Sequence, residues 1–328
     1  MRWGWLLFLL GHLCSPFSPL AATLENPDFD FYVTRDPQIS AQVALAQGAG
    51  FFKEEGIFPK LHWIVSTPEL PNMVAAGGVD VFTFEQTRLA IMRGANLEIL
   101  WICTLAEIGG TQQFLLGPKT KIASPKDLEK LKIGLQTGGS VTLAIQSMAK
   151  NHGVDFRKLT FVNMSPPDQI PALARGDVDA IATWEPWASK AKKLDAKLYF
   201  SGAKSYVGGK EEDVSYLRYY SGIGATKKFV ERHPRTLRKL LRAIQKATEM
   251  IQTNVEKALP ILSTELRMPI EDLREVMKLN HYTNEMDSQV MQAGERLIPM
   301  LLELKKLPHT IETQGLYYLN LKDTRLDP

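Results

Sequence analysis

Cysteine is nearly missing from this chain: Cys14 and Cys103 are the only two in 328 residues. So few exclude a disulfide framework and any cysteine-based metal site. The histidines do not cluster either. His62, His152, His233, His281 and His309 stand far apart, so zinc-binding spacing is absent. A one-sided charge is also lacking. Lys plus Arg number 39 against 36 for Asp plus Glu, and no basic run is long enough for a nucleic-acid patch, so nucleic acid is not an expected partner. There is no Gly-x-Ser-x-Gly elbow, no Walker phosphate loop and no dinucleotide fingerprint. A triad built from distant residues would escape such a search, yet no catalytic residue, metal or cofactor is expected.

What is present is an ordinary globular composition, 45% hydrophobic and 23% charged. The length suggests roughly two domains at about 150 residues each. Residues 1–22 read as an export signal. Arg2 supplies the positive start, Trp3 to Leu10 is apolar, and Pro16 and Pro19 precede Ala21-Ala22, near which cleavage is expected. This apolar stretch is shorter than the roughly 20 residues that span a bilayer, and no later stretch reaches that length. Cys14 follows Leu13, where a lipid-anchoring cysteine would follow a small residue, so it is expected to leave with the signal.

The most informative feature is a unit written twice. The first copy reads as strand Phe29–Val33, polar loop Thr34–Gln38, a helix of about Ile39–Lys53, Gly56, strand Leu61–Val65, a short helix to Ala76, and Gly77-Gly78-Val79-Asp80 leading into strand Val81–Phe84. The second reads as strand Lys132–Leu135, loop Gln136–Gly139, helix Ser140–Asn151, Gly153, strand Leu159–Asn163, Pro166-Pro167 with a helix to Arg175, and Gly176-Asp177-Val178-Asp179 leading into strand Ala180–Thr183. Further strands are expected at Leu97–Thr104, Phe114–Gly117, Leu198–Phe200 and within Tyr216–Ile223. From Lys227 onward apolar residues recur at helical spacing. The arginines and lysines from Arg232 to Arg242 read as the solvated face of that helix. Strand–helix alternation of this kind implies parallel sheets, here two α/β lobes, with ligands held where strands turn into helices.

Each copy places chemistry at those turns. Thr137-Gly138-Gly139-Ser140 joins a strand to a helix, where glycines admit a ligand to the backbone and helix-start N–H groups suit an anion. The same residues equally make a plain capped helix start. Trp184-Glu185 offers a stacking face beside a carboxylate, with Trp187 read as core. Glu85, Gln86 and Thr87 hold the matching place in the first copy.

Several segments together resemble a known family. They are Gly50-Phe51-Phe52-Lys53-Glu54-Glu55-Gly56-Ile57, Met73-Val74-Ala75-Ala76-Gly77-Gly78-Val79-Asp80, Ile122-Ala123-Ser124-Pro125-Lys126-Asp127-Leu128, Ile133-Gly134 to Ser140, and Leu173-Ala174-Arg175-Gly176-Asp177-Val178-Asp179-Ala180 with Trp184-Glu185-Pro186. In this order they are similar to the periplasmic substrate-binding proteins of ABC importers for nitrate, sulfonates and taurine, which are related to thiamine-pyrimidine precursor binding proteins.

The resemblance implies a two-lobed α/β type II periplasmic-binding-protein fold, each lobe a mostly parallel sheet flanked by helices, with the ligand cleft between lobes. One lobe would comprise 23–116 and 221–328, the other 117–220, with crossings near Phe114–Gly117 and Tyr219–Gly222. It also implies a periplasmic monomer that closes by a hinge on a small organic ligand and delivers it to an ABC permease with a cytoplasmic ATPase. Ligand positions carry over onto Arg35, Gln38, the loop holding Glu85, Gln86 and Thr87, Thr137 to Ser140, Trp184, Glu185, Tyr219 and Tyr220.

The chain departs from the pattern at Phe84-Glu85-Gln86-Thr87-Arg88, where the family often has small, glycine-containing sequence. With Glu85, Glu107 and Glu185 expected at the cleft, a bare inorganic anion fits poorly, because burying carboxylates beside an unpaired anion costs several kcal/mol in order of magnitude. A sulfonate or taurine-like solute, or an acid bearing an amine or nitrogen heterocycle, is expected instead. The rivals are an enzyme on the same fold acting on a small metabolite and a sensory ligand-binding module.

Overall fold

In the computed structural model residues 24–318 are described, so the expected export signal, 1–22, lies outside the described residues. The first copy of the repeat runs β1 (Asp30–Thr34), α1 (Pro37–Gly48), α2 (Phe51–Glu54), β2 (Lys60–Ile64), α3 (Leu70–Ala75), β3 (Val81–Glu85) and α4 (Gln86–Gly94). Asp36 caps α1, its carboxylate accepting from the Ile39 N–H with Pro37 in the first turn. The single helix expected over 39–53 is two. Gly50, at φ +80°, takes a left-handed conformation that ends the run, and α2 starts afresh.

β4 (Ile99–Glu107) and β5 (Gln112–Leu116) lie between the copies, and the second copy follows as β6 (Lys132–Leu135), α5 (Val141–Asn151), β7 (Thr160–Asn163), α6 (Pro166–Arg175), β8 (Ala180–Trp184) and α7 (Trp187–Lys192). Then come β9 (Lys197–Ser201) and the short β10 (Lys204–Ser205) and β11 (Glu212–Asp213). The chain returns through β12 (Tyr220–Thr226), α8 (Lys227–Arg232), α9 (Pro234–Thr253), α10 (Val255–Leu266), α11 (Ile270–Met277), β13 (His281–Tyr282) and α12 (Ser288–Glu303).

Two sheets result, ordered β13-β4-β12-β3-β1-β2 and β11-β10-β9-β5-β8-β6-β7. Among the described strands, parallel pairing is made by β2-β1-β3 and β7-β6-β8, the strands of the two repeats, and a single parallel bridge joins Trp101 to Tyr317. β5 and β12, which each enter their sheet from the opposite one, pair antiparallel with both neighbours, and β13-β4, β9-β10 and β10-β11 are antiparallel too. Both sheets are thus mixed, each with a three-stranded parallel part.

Sheet membership also corrects the expected crossings. Phe114 sits within β5 of the second sheet, so pairing changes hands at Ile108–Thr111, before Gln112. The return lies at 214–219, and Tyr216–Tyr219 is not strand. The two crossings touch, the Ile108 N–H donating to the Tyr219 carbonyl at 3.0 Å.

Helix α9 is amphipathic as expected. Leu237, Leu240, Ile244 and Ile251 are buried on one face, while Arg235, Lys239 and Lys246 on the other pair with Glu25, Glu55 and Glu54. Helix α1 packs against both α9 and α10 as well as the sheet, and so is buried along nearly its whole length. No helix among the described residues is long and apolar enough to cross a membrane.

Candidate functional site

The turns that follow β1, β2 and β3 face the turns that follow β6 and β8 across the gap between the sheets. Between them lies a cavity of about 30 Å³, room for one or two waters. The first sheet lines it with Thr34, Asp36, Gln38, Ser66 and Glu85, the second with Gly138, Gly139, Ser140 and Trp184. Gln112 comes from the start of β5 and Tyr219 from the return crossing.

Side-chain hydrogen bonds span the gap. Gln38 Nε2 donates to the Glu185 carbonyl at 2.8 Å, and Gln136 Nε2 to Ser66 Oγ at 3.2 Å. Arg88 donates to the Gly138 carbonyl. Thr87 Oγ1 donates to Glu85 Oε1 at 2.8 Å, so in the 2.7 Å contact between Thr87 and Ser140 the Ser140 hydroxyl is the donor. The Arg88 guanidinium meets Glu85 Oε1 at 3.0 Å, and both side chains are about 5% exposed or less. Gly138 adopts φ +89°. A Cβ on Gly139 would come 3.3 Å from the Trp184 ring, so glycine lets that ring reach the turn.

Of the expected site residues, Gln38, Glu85, Gly138, Gly139, Ser140, Trp184 and Tyr219 line the cavity, and Thr87 stands directly behind Glu85. The others point elsewhere. Arg35 lies 4.3 Å over the Trp63 ring and donates to the Glu265 carbonyl. Gln86 is spent inside the first lobe, donating to the Val290 carbonyl and Tyr317 hydroxyl and accepting from the Tyr220 N–H. Glu107 pairs with Arg218, and neither residue lines the cavity. Thr137 is exposed, its N–H donating to Asn163. Tyr220 is buried beside Gln86. Glu185 is fully buried, but its carboxylate turns away. It accepts from Gln113 Nε2 and the Ser189 N–H and lies 3.6 Å from Lys192, leaving only its backbone carbonyl toward Gln38.

Sequence reasoning missed Asp36 and Arg88. Asp36-Pro37 before an apolar helix is a capping signature, and it was legible only as that. In the structure Asp36 lines the cavity, and its second oxygen has no hydrogen-bond partner among the described residues. Burial pushes the Asp36 carboxyl well up from its ordinary value of 3.8. The Ile39 N–H opposes the shift and the Glu85 charge adds to it. Burial, then Glu85, pushes the Tyr219 hydroxyl up as well.

A pH dependence follows from the raised acid at Asp36. The folded state holds a proton there that the unfolded chain releases, so this contribution to stability is full below about pH 3.8 and is lost as pH rises toward the folded value. Asp36→Asn keeps a capping acceptor and cannot ionise. Without ligand, it is expected to match the wild type near pH 4 and to melt several degrees higher near pH 8. Parallel melting curves across that range would show that Asp36 does not titrate on folding.

The family model described as NMT1/THI5 like matches residues 38–258. The chain belongs to that family. The taurine-binding periplasmic protein of Escherichia coli K12 is 24% identical over 68% of this chain and 65% of its own length, so the match spans just under two thirds of that relative. An aliphatic sulfonates-binding protein of Bacillus subtilis 168 is 23% identical over 80% of this chain and 77% of its own. Among solved structures, the alkanesulfonate-binding protein of Xanthomonas axonopodis pv. citri bound to MOPS superposes with a TM-score of 0.73, at 16% identity, over 90% of this chain and 99% of that one. This NMT1/THI5-like chain therefore has the two-lobed type II periplasmic-binding-protein fold, and its cavity lies where the turns of the two lobes meet.

Proposed function

We propose that this chain is the solute-binding protein of an ABC importer, exported to the periplasm and acting as a monomer. It captures a small organic solute, sulfonate- or taurine-like or an acid bearing an amine or nitrogen heterocycle, and carries it to a membrane permease driven by a cytoplasmic ATPase. The observation that carries this reading is the cavity itself. Its walls come from strand-end turns of both sheets, and side chains of one lobe hydrogen-bond the other across it. Such a site is completed by closure and opened by a hinge.

The hinge is assigned to the touching crossings at 108–111 and 214–219. Among the described residues the moving bodies are 24–116 with 221–318 and 117–220, except that Gln112–Leu116 travels with the second. Binding so conceived needs no cofactor and no bond chemistry.

The test is a thermal-shift screen of the mature chain against sulfonates, taurine, amino acids, aromatic carboxylates, pyrimidines and polyamines. A true ligand at a hundredfold excess over its Kd stabilises the fold by about 2.7 kcal/mol, a rise of about 5 °C or more. Recovery of the ligand unchanged by mass spectrometry supports transport. Conversion during incubation would replace this reading with an enzyme on the same fold.

A further inference from the structure

Four buried side chains of the first lobe line the cavity and each carry an atom that makes no hydrogen bond to the described residues. The atoms are Thr34 Oγ1, Asp36 Oδ2, Gln38 Oε1 and Glu85 Oε2. The four residues are 1%, 3%, 1% and 3% exposed, so bulk water does not serve them. Three of the four atoms are acceptors, and the Thr34 hydroxyl can also accept. A wall made of unserved acceptors is costly unless something within the cavity donates to it.

The charges point the same way. Asp36 and Glu85 come from separate elements, the cap of α1 and the end of β3, yet line one cavity. Arg88 is the single cation paired with them among the described residues, and it engages Glu85 Oε1, leaving Oε2 and the whole of Asp36 without a positive partner. A buried carboxylate without a counter-ion either takes up a proton or recruits a cation.

Resting on the solute-binding reading above, we propose that Asp36 and Glu85 form a cation subsite that holds a primary ammonium group of the solute, which donates N–H bonds to Asp36 Oδ2 and Glu85 Oε2, with Gln38 Oε1 or Thr34 Oγ1 accepting the third. Three donors on a compact charge match a wall of this kind, and the small cavity admits such a head more readily than a bulky one. The subsite rejects solutes that end in a bare anion. Their charge would face the Glu85 carboxylate and the acid at Asp36, with one guanidinium already committed. It also discriminates against a hydroxyl in place of the ammonium, which brings one donor and no charge.

Matched probes test this by calorimetric titration at pH 7.5: taurine against isethionate, β-alanine against 3-hydroxypropionate, putrescine against 1,4-butanediol, and benzylamine against benzyl alcohol. The ammonium member of at least one pair is expected to bind about 100-fold or more tightly than its hydroxyl partner. Glu85→Gln and Asp36→Asn, both near-isosteric, are each expected to cut that ratio at least tenfold while circular dichroism stays unchanged. Equal binding within every pair, or a ratio that survives both variants, overturns the subsite. A broad-screen hit on a solute without an amine also ends it, while leaving the solute-binding reading intact. No binding by any probe or screened solute overturns both.

Discussion

Replacing Gly222 by alanine is expected to lower the melting temperature by about 6–12 °C. Gly222 lies in β12, the strand between β3 and β4, where the register against β4 slips. A Cβ there would stand 2.3 and 2.4 Å from ring atoms of Trp101 and 2.5 Å from the Cys103 carbonyl. The ring has no room to yield. Trp101 is fully buried, its Nε1 donates to Thr104 at 3.2 Å, and it packs on Phe84 and Tyr317 with centroids 5.1 and 6.0 Å away. Overpacking of this kind costs about 3 kcal/mol, and each kcal/mol is worth about 2–4 °C in a domain of this order of size. Gly78, with no atom within 4 Å of a built Cβ and no positive φ, is the control: Gly78→Ala is expected to leave the melt within about a degree. Similar melts for the two variants would mean that the close approach at Trp101 is not rigid.

The second large effect concerns closure. Arg88 pairs with Glu85 within the first lobe and donates to Gly138 in the second, so Arg88→Met removes a counter-charge and a strap together. Breaking one side of a buried ion pair costs about 3–5 kcal/mol because the partner is left charged and dry. Here the protein has an escape that a core residue lacks. Opening the hinge lets water reach Glu85, so the cost is expected to appear as opening rather than unfolding. A penalty of about 3 kcal/mol shifts the closed-to-open ratio by about a hundredfold, and the apparent affinity for a solute bound by the closed form falls with it. Small-angle scattering should therefore give a larger radius of gyration for Arg88→Met than for wild type, with a far-UV spectrum unchanged. Adding Glu85→Gln removes the stranded charge and should recover part of the compaction. A single variant as compact as wild type would rule out Arg88 as a support of the closed state.

The two effects differ in how far the sequence anticipated them. Gly222 could be named as part of a returning strand, but nothing local said that an indole would press on its α-carbon. That contact joins positions far apart in the chain. Arg88 stands three residues after Glu85 in a stretch the sequence presents as a loop; the structure makes it the first turn of α4, where that spacing permits an ion pair. Its reach to Gly138 depends on a second lobe folded from other residues.

Where interactions are local, the sequence alone determined the outcome. Helix α6 spans Pro166–Arg175 as read, because proline starts it and Gly176, at φ +84°, ends it within a turn of its own residues. Strand β6 occupies Lys132–Leu135 as read, and the duplicated strand–helix order survives intact. Gly50, by contrast, split a helix that apolar spacing had joined, since periodicity does not register a single left-handed residue.

The carboxylates show what only tertiary structure decided. Glu85 and Glu185 end equivalent strands, each after an aromatic residue, and their local sequences promise the same role. Glu85 lines the cavity and keeps one oxygen without a partner among the described residues, while Glu185 is drawn inward by Gln113 of β5 and the Ser189 N–H. Strand alternation sets which side of a sheet a residue faces. Which donors a buried carboxylate finds depends on chain segments that its own neighbourhood does not contain. Asp36 carries the same lesson in reverse: its capping bond was local and legible, while the residue became part of a site only when β3 brought Glu85 beside it.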